Sequence, residues 1–323
     1  MGRFRGLLVV MALAAAGCTE KSDGASPKPD APTPAVEPPA ETADPPSPDA
    51  FPKDWVWVTD TRLRVEVAMP SLPRSASSAP GPSGQPQQRA LVAERNGASF
   101  NVTAIFEPPP DSLADLVQGL ERDGEVLRNE AWRGDGLRLS VRMPVGIVEI
   151  GALLREQTLY LVEVSGEPPK VDTQRFMKSL AVRAKPRAEP LRDGGLTVQA
   201  PARMGAWLDT SGIPPLEGHR GVLDGHQFGV HSTNLVLVSD HEQSLDGSVT
   251  EMRRSIGAEL VELDPRPFGG CPSRRVELRA RDGMYATIRL VHEGNTLVQA
   301  AVYAPSGREA PWADGFVDSL RFP

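Results

Sequence analysis

The sequence predicts an α+β protein: two tandem similar domains, each an antiparallel sheet with helices packed on its faces, after a disordered amino-terminal tether. Three observations predict it. A set of short motifs recurs in one order, at offsets between 128 and 140 residues along the chain. Within each repeat, stretches with apolar residues at every second position surround one stretch of helical period. A tract holding nine prolines separates an apolar leader from this body.

The leader comes first. Arg3 and Arg5 form a positive start, and Leu7 to Ala16 form an apolar run of ten residues, too short to span a bilayer as a helix. Small residues then lead to Cys18, one of only two cysteines. This layout marks residues 1–17 as a signal peptide. Ala15-Ala16-Gly17-Cys18 resembles a bacterial lipobox, although the usual leucine three residues before the cysteine is Ala15 here. The resemblance implies a diacylglyceryl group on the Cys18 thiol, cleavage before it and acylation of the new terminus. An ordinary signal peptide cut after Ala14 or Ala16 is the alternative. Several acyl chains anchor stably where one is marginal, since each buried CH₂ contributes ~0.8 kcal/mol. By the same resemblance Thr19, in place of an aspartate, points to the outer membrane, with the protein facing periplasm or cell surface.

Residues 18–50 hold the lipidated cysteine and the proline-rich tether, whose single apolar side chain larger than alanine is Val36. Such a segment cannot offset the entropy of ordering and is expected to be disordered, with polyproline II character.

The body divides into repeat unit one at 51–183, a linker at 184–190 and repeat unit two at 191–323. Val65 to Pro70 (VEVAMP) corresponds to Leu196 to Pro201 (LTVQAP), and Gly97 to Val102 corresponds to Gly225 to Val230. Phe176-x-x-Ser179-Leu180 corresponds to Phe316-x-x-Ser319-Leu320. In unit one a first strand carries Leu63, Val65 and Val67, and a long mobile loop follows at 71–88. A second strand carries Phe100, Val102 and Ala104. A helix opens at Ser112, with Asp115 resembling a capping box and Leu113, Leu116, Val117 and Leu120 on one face. Strands follow through Leu137 to Met143 and Leu159 to Val164, and a short helix near Phe176 closes the unit. Unit two repeats this plan, with a hairpin tip at Gly294-Asn295.

The stretches RVEVAMPSLP, TLYLVEV and FMKSL, echoed as LTVQAP, TLVQAAVY and FVDSL, resemble the PsbP-like superfamily, which includes bacterial envelope lipoproteins. The resemblance covers nearly all of the body but rests on core-packing residues, so no functional residue carries over. It implies a protein that binds proteins or assists assembly, not a catalyst.

The residues themselves offer little chemistry. A formal charge of −7 argues against nucleic acid as a partner. All five histidines (His219, His226, His231, His241 and His292) fall in unit two. His226 and His231 sit five apart near a strand, which puts them on opposite faces, so they read as surface histidines without a metal. Cys271, beside Arg274 and Arg275, lacks an evident histidine partner and reads as a partly buried thiol. No phosphate loop, nucleophile elbow or zinc-protease motif occurs. Trp55, Trp57 and Trp132 read as core or inter-domain packing.

The expectation is therefore an envelope lipoprotein with a non-catalytic binding, assembly or adaptor role. It needs no cofactor and no metal; its partners are the lipid anchor in the membrane and an envelope protein. One rival is an envelope hydrolase or thiol enzyme using Cys271 and the unit-two histidines. Another is a structural envelope protein without a specific ligand.

Overall fold

The computed structural model describes residues 46–47, 50–79, 86–109, 111–183, 185–193, 195–209, 216–235, 238–308 and 310–322. The signal peptide, Cys18 and nearly all of the tether lie outside the described residues.

The first half runs β1 (Val56–Asp60), β2 (Val65–Met69), β3 (Arg74–Ser77), β4 (Gln88–Arg95), β5 (Ala98–Phe106), α1 (Ser112–Asp123), β6 (Glu125–Trp132), β7 (Gly136–Met143), β8 (Gly146–Arg155), β9 (Thr158–Ser165), α2 (Lys170–Ser179) and β10 (Ala181–Val182). The second runs β11 (Glu189–Asp193), β12 (Leu196–Ala200), β13 (Gly205–Asp209), β14 (Leu216–Leu223), β15 (His226–Asn234), α3 (His241–Ile256), β16 (Ala258–Asp264), β17 (Ser273–Ala280), β18 (Tyr285–Glu293), β19 (Thr296–Ala304) and α4 (Ala313–Val317).

Both halves use one strand order. The first builds β3-β4-β5-β9-β8-β7-β6, and the second builds β13-β14-β15-β19-β18-β17-β16. Each is preceded by an antiparallel hairpin, β1-β2 or β11-β12. The repeated serine of the Phe-x-x-Ser-Leu motif has the same task in both. Ser179 Oγ accepts from Ala68 N–H at 3.0 Å and donates to Phe176 O at 2.8 Å. Ser319 Oγ accepts from Gln199 N–H at 2.9 Å and donates to Phe316 O at 2.7 Å. Each serine thus satisfies a hairpin amide and pins the hairpin to the closing helix.

The expected α+β class, with helices packed on the sheet faces, is not what forms. Nineteen strands stand against four helices among the described residues. The helices occupy places and not layers: α1 packs mainly on β6 and β7, and α3 on β16, β17 and β18. The other core is strand on strand. Every residue of β1 and β2 is buried, and Trp55, Trp57, Val65 and Val67 share one cluster with Phe100, Val102, Val162 and the α2 residue Phe176. A hairpin apolar on both faces fills the place a helix layer would take, and each large side chain so buried contributes about 1.5–3 kcal/mol. Nor are the two halves separate: β10, β2 and β1 of the first half continue the sheet of the second, because β1 pairs in parallel with β14, while β3-β4-β5-β9-β8-β7-β6 remains a sheet of its own.

Local chemistry corrects three further expectations. Within the 71–88 tract, Arg74–Ser77 is a strand paired with β4. The Ser112 capping box does not form: Asp111 is the N-cap without a side-chain bond, and the Ser112 hydroxyl donates to Pro109 O. By contrast α3 is capped at both ends, Asp240 accepting from Gln243 N–H and Gly257 adopting φ 61° at the exit. The expected linker is also fixed in part. Its Arg187 N–H donates to Oε1 of the fully buried Glu66 at 3.2 Å, and Arg183 Nε, at the end of unit one, lies 3.0 Å from the same carboxylate.

Candidate functional site

The halves meet where β1 pairs with β14. Ala68 N–H is taken by Ser179, so Trp57–Ala68 is a non-hydrogen-bonded pair and the Trp57 amide faces away from β2, toward Gly221 of β14. The glycines there are required by contact: a Cβ on Gly221 would lie 2.6 Å from Arg203 O, and one on Gly205 would lie 2.7 Å from the Trp57 ring. The Arg203 guanidinium sits 4.8 Å over that ring. At the end of the join, Thr61 N–H and Oγ1–H donate to Asp224 at 2.7 and 2.9 Å. Asp60, buried beside it, accepts from Leu63 N–H, and burial raises its pKa with Asp224 adding to the effect. The cleft here, between Val58, Asp60, Leu91, Val222 and Gln227, holds about 60 Å³. Ligand pockets run to roughly 300 Å³ and more, so this is space for a few waters.

The histidines are brought together only in part, and none of the five is exposed. His226 and His231 do lie on opposite faces of β15, against Trp312 and Trp207 respectively. Burial depresses His231 to about 4, and Asp209 offsets it only in part. His292 is 1% exposed, stacks on His241 at 5.0 Å, and shares a 2.9 Å hydrogen bond between Nε2 and Ser244 Oγ. This serine–histidine pair lacks the third group that orients a catalytic base, since His292 Nδ1 has no partner among the described residues. Burial, and then His241, lowers the His292 pKa.

Cys271 is not part of that cluster. It packs at the margin of the core of Phe228, Val291 and Phe316, on the sheet face opposite Ile288 and Leu290, whose core carries α3. The guanidiniums that could activate it are taken: Arg274 by Glu242 and Asp246, Arg275 by Glu277 and Asp314. Among the described residues no three or more His, Cys, Asp or Glu side chains gather as a metal site.

What the sequence reading passed over is the outer strand of each sheet. Among the described residues β16 has a partner on one side only, β17, with a bulge at Val261. Leu260, opposite Leu278, and Leu263, opposite Val276, turn toward the α3 core yet are 36% and 40% exposed, and Val261 is 54% exposed. The opposite face of the strand carries Glu259, Glu262 and Asp264. Asp264 is held by Arg266, which draws its pKa down to about 2, whereas Glu259 and Glu262 make no ion pair among the described residues. The matching strand β6 is different. Only Leu127 is an exposed large aliphatic there, at 41%, and its acids are neutralised, Glu125 by Arg142 and Glu130 by Arg128 and Arg138. The alternation in AELVELD (Ala258 to Asp264) was the available signal, masked by its place directly behind a helix.

No family model and no curated protein matches the chain. Among solved structures it is similar to cyanobacterial PsbP from Synechocystis sp. PCC 6803, at 15% identity and TM-score 0.34 over 42% of this chain and 92% of that one. It is also similar to the type VI secretion immunity protein TplEi of Pseudomonas aeruginosa, in complex with a peptide, at 14% identity and TM-score 0.29 over 83% and 98%. A third likeness is to the MucA/MucB complex of Pseudomonas aeruginosa, at 12% identity and TM-score 0.19 over 77% and 90%. At TM-scores below 0.5 these likenesses carry no argument about this chain.

Proposed function

We propose that this chain is a lipid-anchored protein of the bacterial envelope that binds another protein and catalyses no reaction. The observation that carries the binding role is the open strand β16, with Leu260, Val261 and Leu263 exposed beside unpaired Glu259 and Glu262. Exposed aliphatics on an unpaired strand are a docking surface, because the main chain and the apolar side chains both lack partners. The anchor rests on Cys18 and the leader before it. No helix among the described residues is long and apolar enough to cross a membrane. Thr19 favours the outer membrane.

A photo-crosslinking side chain placed at Val261 in cells tests the binding role, with Leu127 on β6 as the matched control. A discrete adduct at Val261 and none at Leu127 is expected; no adduct at either position would support the purely structural reading instead. Radiolabelled palmitate should be incorporated by the chain and lost in Cys18→Ala.

A further inference from the structure

We infer that the partner of β16 is an extended segment alternating aliphatic and cationic side chains, added as one more strand at this edge. The inference rests on the docking role proposed above and names its partner. The two faces of β16 set different demands on the neighbour. On the α3 face, Ala258, Leu260 and Leu263 continue the row of Ala280, Leu278 and Val276, and the half-buried Met252 and Ile256 of α3 sit against the same core. An added strand with aliphatic residues on that face would extend this core outward and cover Leu260 and Leu263.

The other face asks for positive charge. Its outer row is Glu259, Glu262 and Asp264. Arg279 of β17 stands opposite Glu259, and the other cations further in already have partners. Arg275 holds Glu277 and Asp314, and Arg289 holds Asp318. Tyr285 donates to Glu277 as well. Glu262 stands opposite Glu277, not opposite a cation, so Glu259 and Glu262 share one uncommitted cation across the strands, and lysine or arginine on the incoming strand supplies the missing charge.

The same row argues against a second copy of this chain. Two β16 strands paired about a twofold axis normal to the sheet would bring both acidic rows onto one face, and like charges across strands destabilise. Nor does the strand carry a lysine or proline, residues that commonly blunt an edge; its bulge and its acidic row are the devices present, and the row repels a like-charged edge while leaving the strand open to a cationic one.

Two blocked ten-residue peptides serve as probes, one alternating valine and lysine, the other valine and glutamate. They are titrated into the full chain, with binding read by fluorescence anisotropy and by amide shifts across Ala258–Asp264. The valine–lysine peptide should bind, weaken with added salt, and move those amides, while the valine–glutamate peptide should not. Glu259→Lys/Glu262→Lys should weaken the first peptide roughly tenfold and admit the second. The milder Glu259→Gln/Glu262→Gln should lose the preference without gaining the new one. Equal binding of both peptides, or self-association through β16 with neither bound, would overturn the inference. An adduct at Val261 that survives both charge variants would overturn the cationic partner while leaving the docking role standing.

Discussion

The hairpins β1-β2 and β11-β12 are the same piece of chain used twice, and they meet opposite fates. Counted from their tips, Trp57 corresponds to Pro190 and Ala68 to Gln199. In both, the amide of the second strand is capped by a motif serine, so the residue opposite turns its backbone outward. In the first hairpin that outward residue is Trp57, paired with Gly221 of β14 and fully buried. In the second it is Pro190, exposed and without an N–H to offer. The first hairpin joins its repeat to the next one, while the second forms a two-stranded sheet of its own among the described residues. At this outward position the first hairpin offers an amide to a neighbour and the second does not.

The largest expected effect follows directly. Trp57→Ala removes a fully buried ring from the join, opens space beside Gly205 and Arg203, and should cost about 3–5 kcal/mol in denaturant unfolding. Pro190→Ala, at the corresponding position, should stay within about 0.5 kcal/mol. Equal costs would mean that the two hairpins are energetically alike and would break the comparison.

A second test concerns what the hairpins carry inside. Glu66 of β2 is fully buried against Arg183, whereas its counterpart Thr197 of β12 exchanges backbone hydrogen bonds with Arg321. Arg183→Met should take the guanidinium from a buried carboxylate, leaving it the Arg187 N–H, and cost about 3 kcal/mol. Replacing the Arg321 side chain by methionine should cost little, because its backbone makes the contact. Chemical denaturation of both variants compares them.

Much of this plan was legible in the sequence, and the reasons for the rest are physical. Phe100-Val102-Ala104, Leu159 to Val164 and the Gly294-Asn295 tip announce β5, β9 and the β18-β19 hairpin because period two and turn chemistry are local. The parallel pairing of β1 with β14 is not local: it depends on Gly205 clearing space for the Trp57 ring, more than a hundred residues away, and on Gly221 leaving room for Arg203 O. β11 was hidden because Pro190 and its neighbours read as linker, and β6 and β16 because each follows a helix directly. The histidines looked like surface residues because nothing in a strand sequence shows that Trp207 and Trp312 will cover them. The edge at β16 was visible only as alternation, and its exposure is a property of the finished sheet.

The halves should also answer pH in opposite senses. Glu163 of β9 is buried, accepts a hydrogen bond from Asn101 and is raised from 4.5 to about 7; its counterpart in β19 is Ala301. A carboxyl raised in the folded state gives stability that is full below pH 4.5 and is lost as pH rises through 7. His231, lowered from 6.5 to about 4, gives stability that is full above pH 6.5 and is lost as pH falls through 4. Each amounts to about 3 kcal/mol at its limit, and between these values they oppose one another. Glu163→Gln should therefore uncover an acid-side loss, and His231→Gln an alkaline-side loss, in unfolding free energies measured from pH 4 to 8. Two variants with the same slope would show that the halves do not differ in this way.

The smallest effect tests the outward geometry itself. Pro190→Val gives β11 an amide at the position where Trp57 has one, on a strand whose outer side has no partner among the described residues. The substitution touches an exposed residue, so stability should move by no more than about 0.5 kcal/mol. Its informative readout is hydrogen exchange. The Trp57 amide, held against β14, should exchange only on opening of the join, whereas the amide created by Pro190→Val should exchange at close to the rate of an unprotected one. Strong protection of both amides at low protein concentration would mean that the β11 edge is covered after all, and proline would no longer explain why that edge is left unjoined. Protection that appears only as concentration rises would show the opened edge recruiting a second chain, as an unguarded strand does.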